Sequence, residues 1–417
     1  MPRLAARHAA RAHDRAARWT LPSRVAYALA AGIIGLGLFA SVTPSPLYHL
    51  YATRWHFGPL TLTLIYATYA FGVLAALLLV GRVSDDVGRR AVLLVALAAL
   101  ALSTVVFILA GSPAWLFAAR GLQGLATGAA ISAASAALLD LHPRRDAAAA
   151  GLANGVASAA GIALGLFVSS LLVQLGEAPR SLPYAVLFTL LAIAFAGVYL
   201  MPEPVEERGR FRLTVARPSV PANARHPFLL ASLAVVASWS IGGLFFSLGP
   251  GLGVRLFGTT NVVVAGIGIV ALAASAAAAQ VVFGRARPWV GASAGSVALA
   301  AGTVLIVASA AIDSSRLYLA GSVVGGVGFG IAFLGGLRAL VASIPPHERA
   351  AVLSAFYVVA YAALSIPAIL AGIVVTHIGL TSTFEIFGSV VAAIALVVAF
   401  EAWRTRPSAV SGQEAMG

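Results

Sequence analysis

Cysteine is absent from the 417 residues, so disulfides, thiolate metal sites and thiol nucleophiles are excluded. Lysine is absent too, and all 27 basic residues are arginine. With abundant alanine and glycine, this points to a GC-rich bacterial gene and says nothing about chemistry. Charge itself is scarce, at 10% of the chain against about 25% in a soluble domain. Hydrophobic residues make 60% and the mean hydropathy is +0.95, which excludes a water-soluble enzyme. No P-loop occurs, so nothing supports an ATP-driven pump.

What is present is a series of long apolar runs. Uncharged stretches cover 25–52, 60–81, 91–119, 147–176 and 181–201, then 227–254, 258–284, 288–312, 317–337, 350–378 and 380–400. A bilayer core takes about 20 residues per helix. Gly111-Ser112-Pro113 is a turn signal within 91–119, and the apolar pattern resumes after Arg120. Splitting that run gives twelve expected spans.

A net charge of +13 raises the question of nucleic acid, and the placement of the arginines answers it. With both termini on one side, 21 of the 27 arginines fall on that side. Arg54, Arg180, Arg255 and Arg316 fall on the other, and Arg120 and Arg338 within spans. This is the positive-inside bias. It predicts a multi-pass protein of the bacterial inner membrane with cytoplasmic termini, partnered by lipid and not by nucleic acid. The Arg- and Ala-rich first residues read as an uncleaved tail, because they run straight into a span with more spans behind it.

Residues 202–226 hold the longest polar segment, with prolines at 202, 204, 218 and 221, and six spans lie on each side. The expected division is a basic tail (1–23), a six-helix bundle (24–201), a cytoplasmic linker (202–226), a second six-helix bundle (227–403) and a tail (404–417). Internal similarity supports duplication. Gly81-Arg82 with Gly88 recurs as Gly284-Arg285 with Gly291, shifted by 203. Pro46 recurs as Pro250, Gly121 and Gly124 as Gly325 and Gly328, and Arg145 as Arg349, shifted by 204.

The loop after the second span, Gly81-Arg82-Val83-Ser84-Asp85-Asp86-Val87-Gly88-Arg89-Arg90, carries a signature. It resembles that of the major facilitator superfamily, Gly-x-Leu-(Ala/Ser)-Asp-(Arg/Lys)-x-Gly-Arg-(Arg/Lys). It matches at Gly81, Ser84, Asp85, Gly88, Arg89 and Arg90, and departs at Asp86, where the family has a base. The resemblance implies an all-α membrane fold of twelve helices in two pseudo-symmetric six-helix bundles. It also implies that Asp85 acts on the N-terminus of the eleventh helix, near Ala350, latching the cytoplasmic side. The bland alternative is a solvated charge cluster that only sets topology.

Arg120 lies roughly 10 Å below the outer end of the fourth span, where a charge costs about 2.5–3.5 kcal/mol or more and needs a partner or a watery cavity. Arg120-Gly121-Leu122-Gln123-Gly124 resembles the superfamily's second motif, Arg-x-x-Gln-Gly. That implies contact between Arg120 and the first helix and a role in proton coupling. Gly121, Gly124 and Gly128 share a helix face and permit close packing. Snorkelling of Arg120 to the outer interface is the alternative, and snorkelling is the expected state of Arg338. The fifth span carries Gly161-Ile162-Ala163-Leu164-Gly165, without the proline that drug antiporters of the superfamily show there.

Of the 14 acids, Glu385 alone lies inside a span, near its outer end. A cationic substrate would therefore lack a counter-ion, whereas Arg120 suits a neutral or anionic one. If protons are coupled, Glu385, Asp85 or His377 is the expected carrier. The fold implied by the resemblance places a cavity between the halves, with Tyr66, Tyr69, Asn154, Trp239, Phe245, Phe246, Tyr357 and Tyr361 as candidate lining groups and Thr43-Pro44-Ser45-Pro46 at its outer mouth. The leading reading is a secondary carrier working by alternating access, a proton-coupled exporter of a small amphipathic compound, acting as a monomer without cofactor or metal. An importer or facilitative carrier is the alternative within transport. A polytopic membrane enzyme is the alternative outside it, and the short outer loops without His/Asp clusters argue against it.

Overall fold

The computed structural model describes residues 20–80, 83–205, 218–345 and 348–406. All regular structure within them is helical. The spans are α1 (Ser23–Val42), α2 (Pro59–Val80), α3 (Arg89–Ile108), α4 (Pro113–Leu141), α5 (Ala147–Leu175) and α6 (Leu182–Tyr199). The second set is α7 (Arg225–Phe257), α8 (Val262–Phe283), α9 (Pro288–Ala311), α10 (Ser315–Ala342) and a final helix, Arg349–Arg404, of 56 residues. That last helix is two: Gly379 has φ 81° and ψ 173°, a left-handed conformation that glycine takes without steric cost, and it divides α11 (349–378) from α12 (380–404). Helix α7 begins at Arg225, two residues inside the segment assigned to the linker.

Packing follows a duplicated plan. In the first bundle α1 packs on α4 and α5, α4 on α2 and α3, and α3 on α6. The second bundle repeats these pairs six helices later: α7 on α10 and α11, α10 on α8 and α9, and α9 on α12. Two seams join the bundles, α2 against α11 and α5 against α8, and they exchange under the same relation. Small residues set the distances. A Cβ on Gly161 would overlap the Gly35 backbone of α1, and one on Gly372 would overlap Thr63 across the α2–α11 seam.

The correspondence within α4 and α10 differs from the glycine match read in the sequence. Gly124 and Gly128 seat against Tyr69, Gly72 and Val73 of α2, whereas Gly326 and Gly330 seat against Leu272, Ser275 and Ala276 of α8. The equivalents are thus 202 apart, as are the helix starts Pro113 and Ser315. Gly328 faces Leu299 of α9 instead. Successive residues turn by about 100°, so a two-residue error in register points to nearly the opposite face.

At the end away from the chain termini the bundles close on each other. Residues 39–48 and 240–249 are buried without interruption, so both central helices are enclosed all round there. The amide of Val262 donates to Gln174 Oε1 across the α5–α8 seam at 2.9 Å. Nearer the termini, α1 exposes Ala28 and Gly32.

Candidate functional site

The site begins with a broken helix. Pro44 and Pro46 lack the amides that would bond the Ala40 and Val42 carbonyls, so α1 stops at Val42 and resumes as a 3-10 turn, Ser45–Leu47, and a short helix, Tyr48–Trp55. Side chains from α4 serve two carbonyls at this broken end, those of Ala40 and Ser41. Arg120 Nη1 donates to Ser41 O at 2.7 Å, and Gln123 Nε2 donates to Ala40 O at 2.9 Å. Arg120 Nη1 also reaches Gln123 Oε1, and Nε reaches Tyr48 Oη, both at 2.7 Å. The guanidinium lies 5.3–5.9 Å from the ring centres of Tyr48, Tyr66 and Tyr69. Arg120 is fully buried, and Nη2 has no hydrogen-bond partner among the described residues. This excludes snorkelling. The buried cation is held by one backbone carbonyl, one side-chain amide oxygen, the Tyr48 hydroxyl and three aromatic rings, with no carboxylate among the described residues bonded to it.

The second bundle answers with rings. Trp239 of α7 meets Tyr361 edge-on at 5.1 Å and leans on Phe333 at 5.7 Å. Phe333, Phe356 and Tyr357 continue the cluster at 6.2 and 5.9 Å. Trp239 and Tyr361 pack against the apolar core that contains Tyr66, and α2 packs on α11, so the aromatic cluster and the arginine cage meet across the halves. Tyr66 is buried in one apolar cluster with Ala237, Ile241 and Leu244 of α7.

Other expected positions lie elsewhere. Phe245 is fully buried inside the second bundle, stacked on Tyr318 and edge-on to Phe384, so it is a packing residue and not part of this cluster. Phe246 is buried in the same core. Asn154 donates to Ser135 Oγ of α4 at 2.7 Å and accepts from Ser158. Next to it, Gly155 abuts Gln280 of α8. Glu385 is half-buried on α12, and His377 is exposed, its Nδ1 3.0 Å from Ile373 O. Arg338 Nη1 donates to the carbonyls of Gly284 at 2.5 Å and Ala286 at 3.3 Å, fastening α10 to the end of α8.

The signature loop makes a second cluster on the termini-bearing face. Gly81 lies outside the described residues. Arg89 pairs with Asp85 at 2.5 Å and with Asp140 of α4 at 3.1 Å, and donates to Ser84 Oγ at 2.7 Å. Asp85 remains 57% exposed. Gly88, with φ 104°, turns the chain so that the amides of Arg89 and Arg90 both point at Glu203, donating at 2.9 and 3.1 Å. A carboxylate at a helix N-terminus is stabilising there. Arg90 also donates to Tyr199 O and lies over the Tyr199 ring. Sequence reasoning missed Glu203, 113 residues from Arg90; its only signal was an acid just beyond the sixth span.

Two six-helix bundles facing each other across a central site, where α4 side chains serve the broken end of α1, form the architecture of a membrane carrier. The sequence profile of the Major Facilitator Superfamily matches residues 27–309, and the chain belongs to that family. Among solved structures, the xylose transporter XylE from E. coli is similar at 13% identity with a TM-score of 0.73, over 92% of this chain and 98% of that one. The human organic anion transporter MFSD10 is similar at 18% identity with a TM-score of 0.67, over 92% and 100%. Likeness at these identities concerns the fold. A gentisate transporter of Corynebacterium glutamicum is 34% identical over 95 residues, 22% of this chain and 21% of the relative. A triacylglyceride transporter of Mycobacterium tuberculosis is 36% identical over 118 residues, 27% of this chain and 23% of the relative. The chain therefore spans less than a quarter of the length of these two relatives.

Proposed function

We propose that this transporter exports a small amphipathic organic compound, neutral or anionic, in exchange for protons, by rocking its two bundles about the central site. The observation that carries the substrate class is the buried Arg120, which has no bonded carboxylate and sets a positive potential beside the Tyr66, Tyr69, Trp239 and Tyr361 rings. Aromatic walls with a few hydroxyls suit an amphipathic guest. The gentisate transporter named above is consistent with an anionic one.

Alternating access requires each end to close while the other is open. In the conformation described the far end is closed, and Asp85 is partly exposed beside Arg89. We assign Gly81, Asp85, Gly88, Arg89 and Arg90 to a latch that engages the start of α11 when the near end closes. Arg120, Gln123 and Gly124 are assigned to coupling, with Glu385 as the proton carrier. Both termini are assigned to the cytoplasm of a bacterial cell, with the monomer as the working unit.

The test is cellular content of a panel of such compounds with and without the protein, repeated after collapse of the proton gradient. Lower content on expression, restored by collapse, is expected. Raised content overturns export, and indifference to the gradient overturns antiport. The second outcome has its own support, since no carboxylate lies at the midplane, and it would leave a facilitative carrier. Asp85→Asn should abolish transport while leaving membrane insertion intact; unchanged transport removes the latch.

A further inference from the structure

We infer that the second bundle carries a binding site for one anionic phospholipid of the leaflet nearest the chain termini, separate from the central transport site. A groove of about 500 Å³ opens between α7, α9, α10 and α12 at their termini-facing ends. Its wall is apolar: Leu230 and Ala234 of α7, Ala292 of α9, Ala339 of α10, Val398 and Ala402 of α12. From Thr405 to Val398 it runs about two helical turns, roughly 10 Å into the membrane, which is the depth of the first part of an acyl chain.

The rim is polar and cationic. His226, Pro288 and Thr405 line the mouth, and the residues flanking them are Arg225, Arg287, Arg404 and Arg406, all exposed. Glu401 is the one acid on these helix ends among the described residues, and it is paired with Arg404 at 2.9 Å. Arg406 lies over the Trp403 ring, with its charge centre 4.6 Å from the ring centre. Trp289, at the mouth on α9, is an aromatic of the kind enriched at headgroup depth. Arg338 holds the α8–α9 loop against α10 and so fixes this rim. An apolar slot at acyl depth beneath a cluster of arginines at headgroup depth complements an anionic phospholipid, whose phosphate those guanidiniums can bind while one chain fills the slot. A zwitterionic lipid offers the chain but cancels the charge.

The experiment is native mass spectrometry of the full chain in nonionic detergent, titrated with phosphatidylglycerol or with phosphatidylcholine of identical chains. One bound phosphatidylglycerol is expected, with a preference of about tenfold, the size of effect expected from one or two surface arginines. Arg225→Gln with Arg287→Gln should equalise the two lipids. Ala342→Trp, at an exposed position on the groove, should remove both adducts; Ala339→Phe, deeper in the wall, is the second blocking variant, and both are compared as monodisperse proteins. Equal binding of the two lipids by the parent chain overturns the proposal, as does adduct formation unchanged in either blocking variant. Neither readout involves transport, so failure here leaves the transport reading untouched, and failure of that reading leaves this site standing.

Discussion

The two bundles share a frame and differ in chemistry. Matching α2 with α8 and α4 with α10 through their glycine contacts puts Ser322 where the first bundle has Arg120, Ile269 where it has Tyr66, and Leu272 where it has Tyr69. Three polar or charged side chains in one half correspond to a small hydroxyl and two aliphatics in the other. The proline break differs in the same direction. Helix α7 has one interior proline, Pro250, with Pro227 in its first turn, and continues to Phe257, while α1 stops before Pro44 and Pro46 and leaves the carbonyls that Arg120 and Gln123 bind. Duplication thus preserved the packing surfaces, and the buried cation was confined to one half. Asymmetry at the centre is what a carrier with one charged attachment point requires.

The comparison breaks most severely at Arg120. Arg120→Leu should strand the Ser41 carbonyl and the Tyr48 hydroxyl, costing about 2–5 kcal/mol and abolishing transport, as read by thermal unfolding in detergent and by the export assay. The matching change, Ser322→Ala, removes a hydroxyl with no hydrogen-bond partner among the described residues and should shift stability by less than about 1 kcal/mol. Equal losses from the two would show that the halves are energetically equivalent after all. The shared frame is tested by Gly124→Ala and Gly326→Ala, which should each cost about 1–3 kcal/mol by forcing α2 or α8 outward. Gly32→Ala, where a Cβ meets nothing within 4 Å, should instead gain about 0.5–1 kcal/mol in the same melting experiment.

The smallest effect concerns Asp146, which caps α5 by accepting from the amides of Ala148 and Ala149. Those amides hold its carboxyl below the ordinary value of 3.8. A lowered folded value means the stabilisation is present above about pH 4 and lost as pH falls through the folded pKa. Asp146→Ala should therefore flatten the decline of stability below pH 4. An unchanged acid limb would show that the cap contributes nothing.

Much of the frame was legible in the chain. Runs without charge mark spans because charge is costly in lipid, and Gly111-Ser112-Pro113 marked the break between α3 and α4. The proline break at the far end of α1 could be read from residues 43–46 alone. The register of the repeat within α4 and α10 could not, because 42 glycines supply chance matches and only the neighbouring helix shows which face each one occupies. The central site was legible in kind but not in its bonds. Arg120 stood out as a charge within a span, yet its partner Tyr48 lies 72 residues away, beyond a helix break. Phe245 could not be told from a cavity residue, since an aromatic on a helix buried all round has no outward sign of which neighbour it faces.

Glu203 has a mechanical consequence for the connection between the bundles. Its carboxylate ties the chain to the start of α3, and on the other side Ser219 bonds the Ala351 carbonyl at the start of α11. Between these two anchors the chain from Val205 to Ser219 can reach at most roughly 50 Å by its covalent length. A connection of that covalent length caps how far the two anchors can part, and deleting a few residues between them would lower the cap.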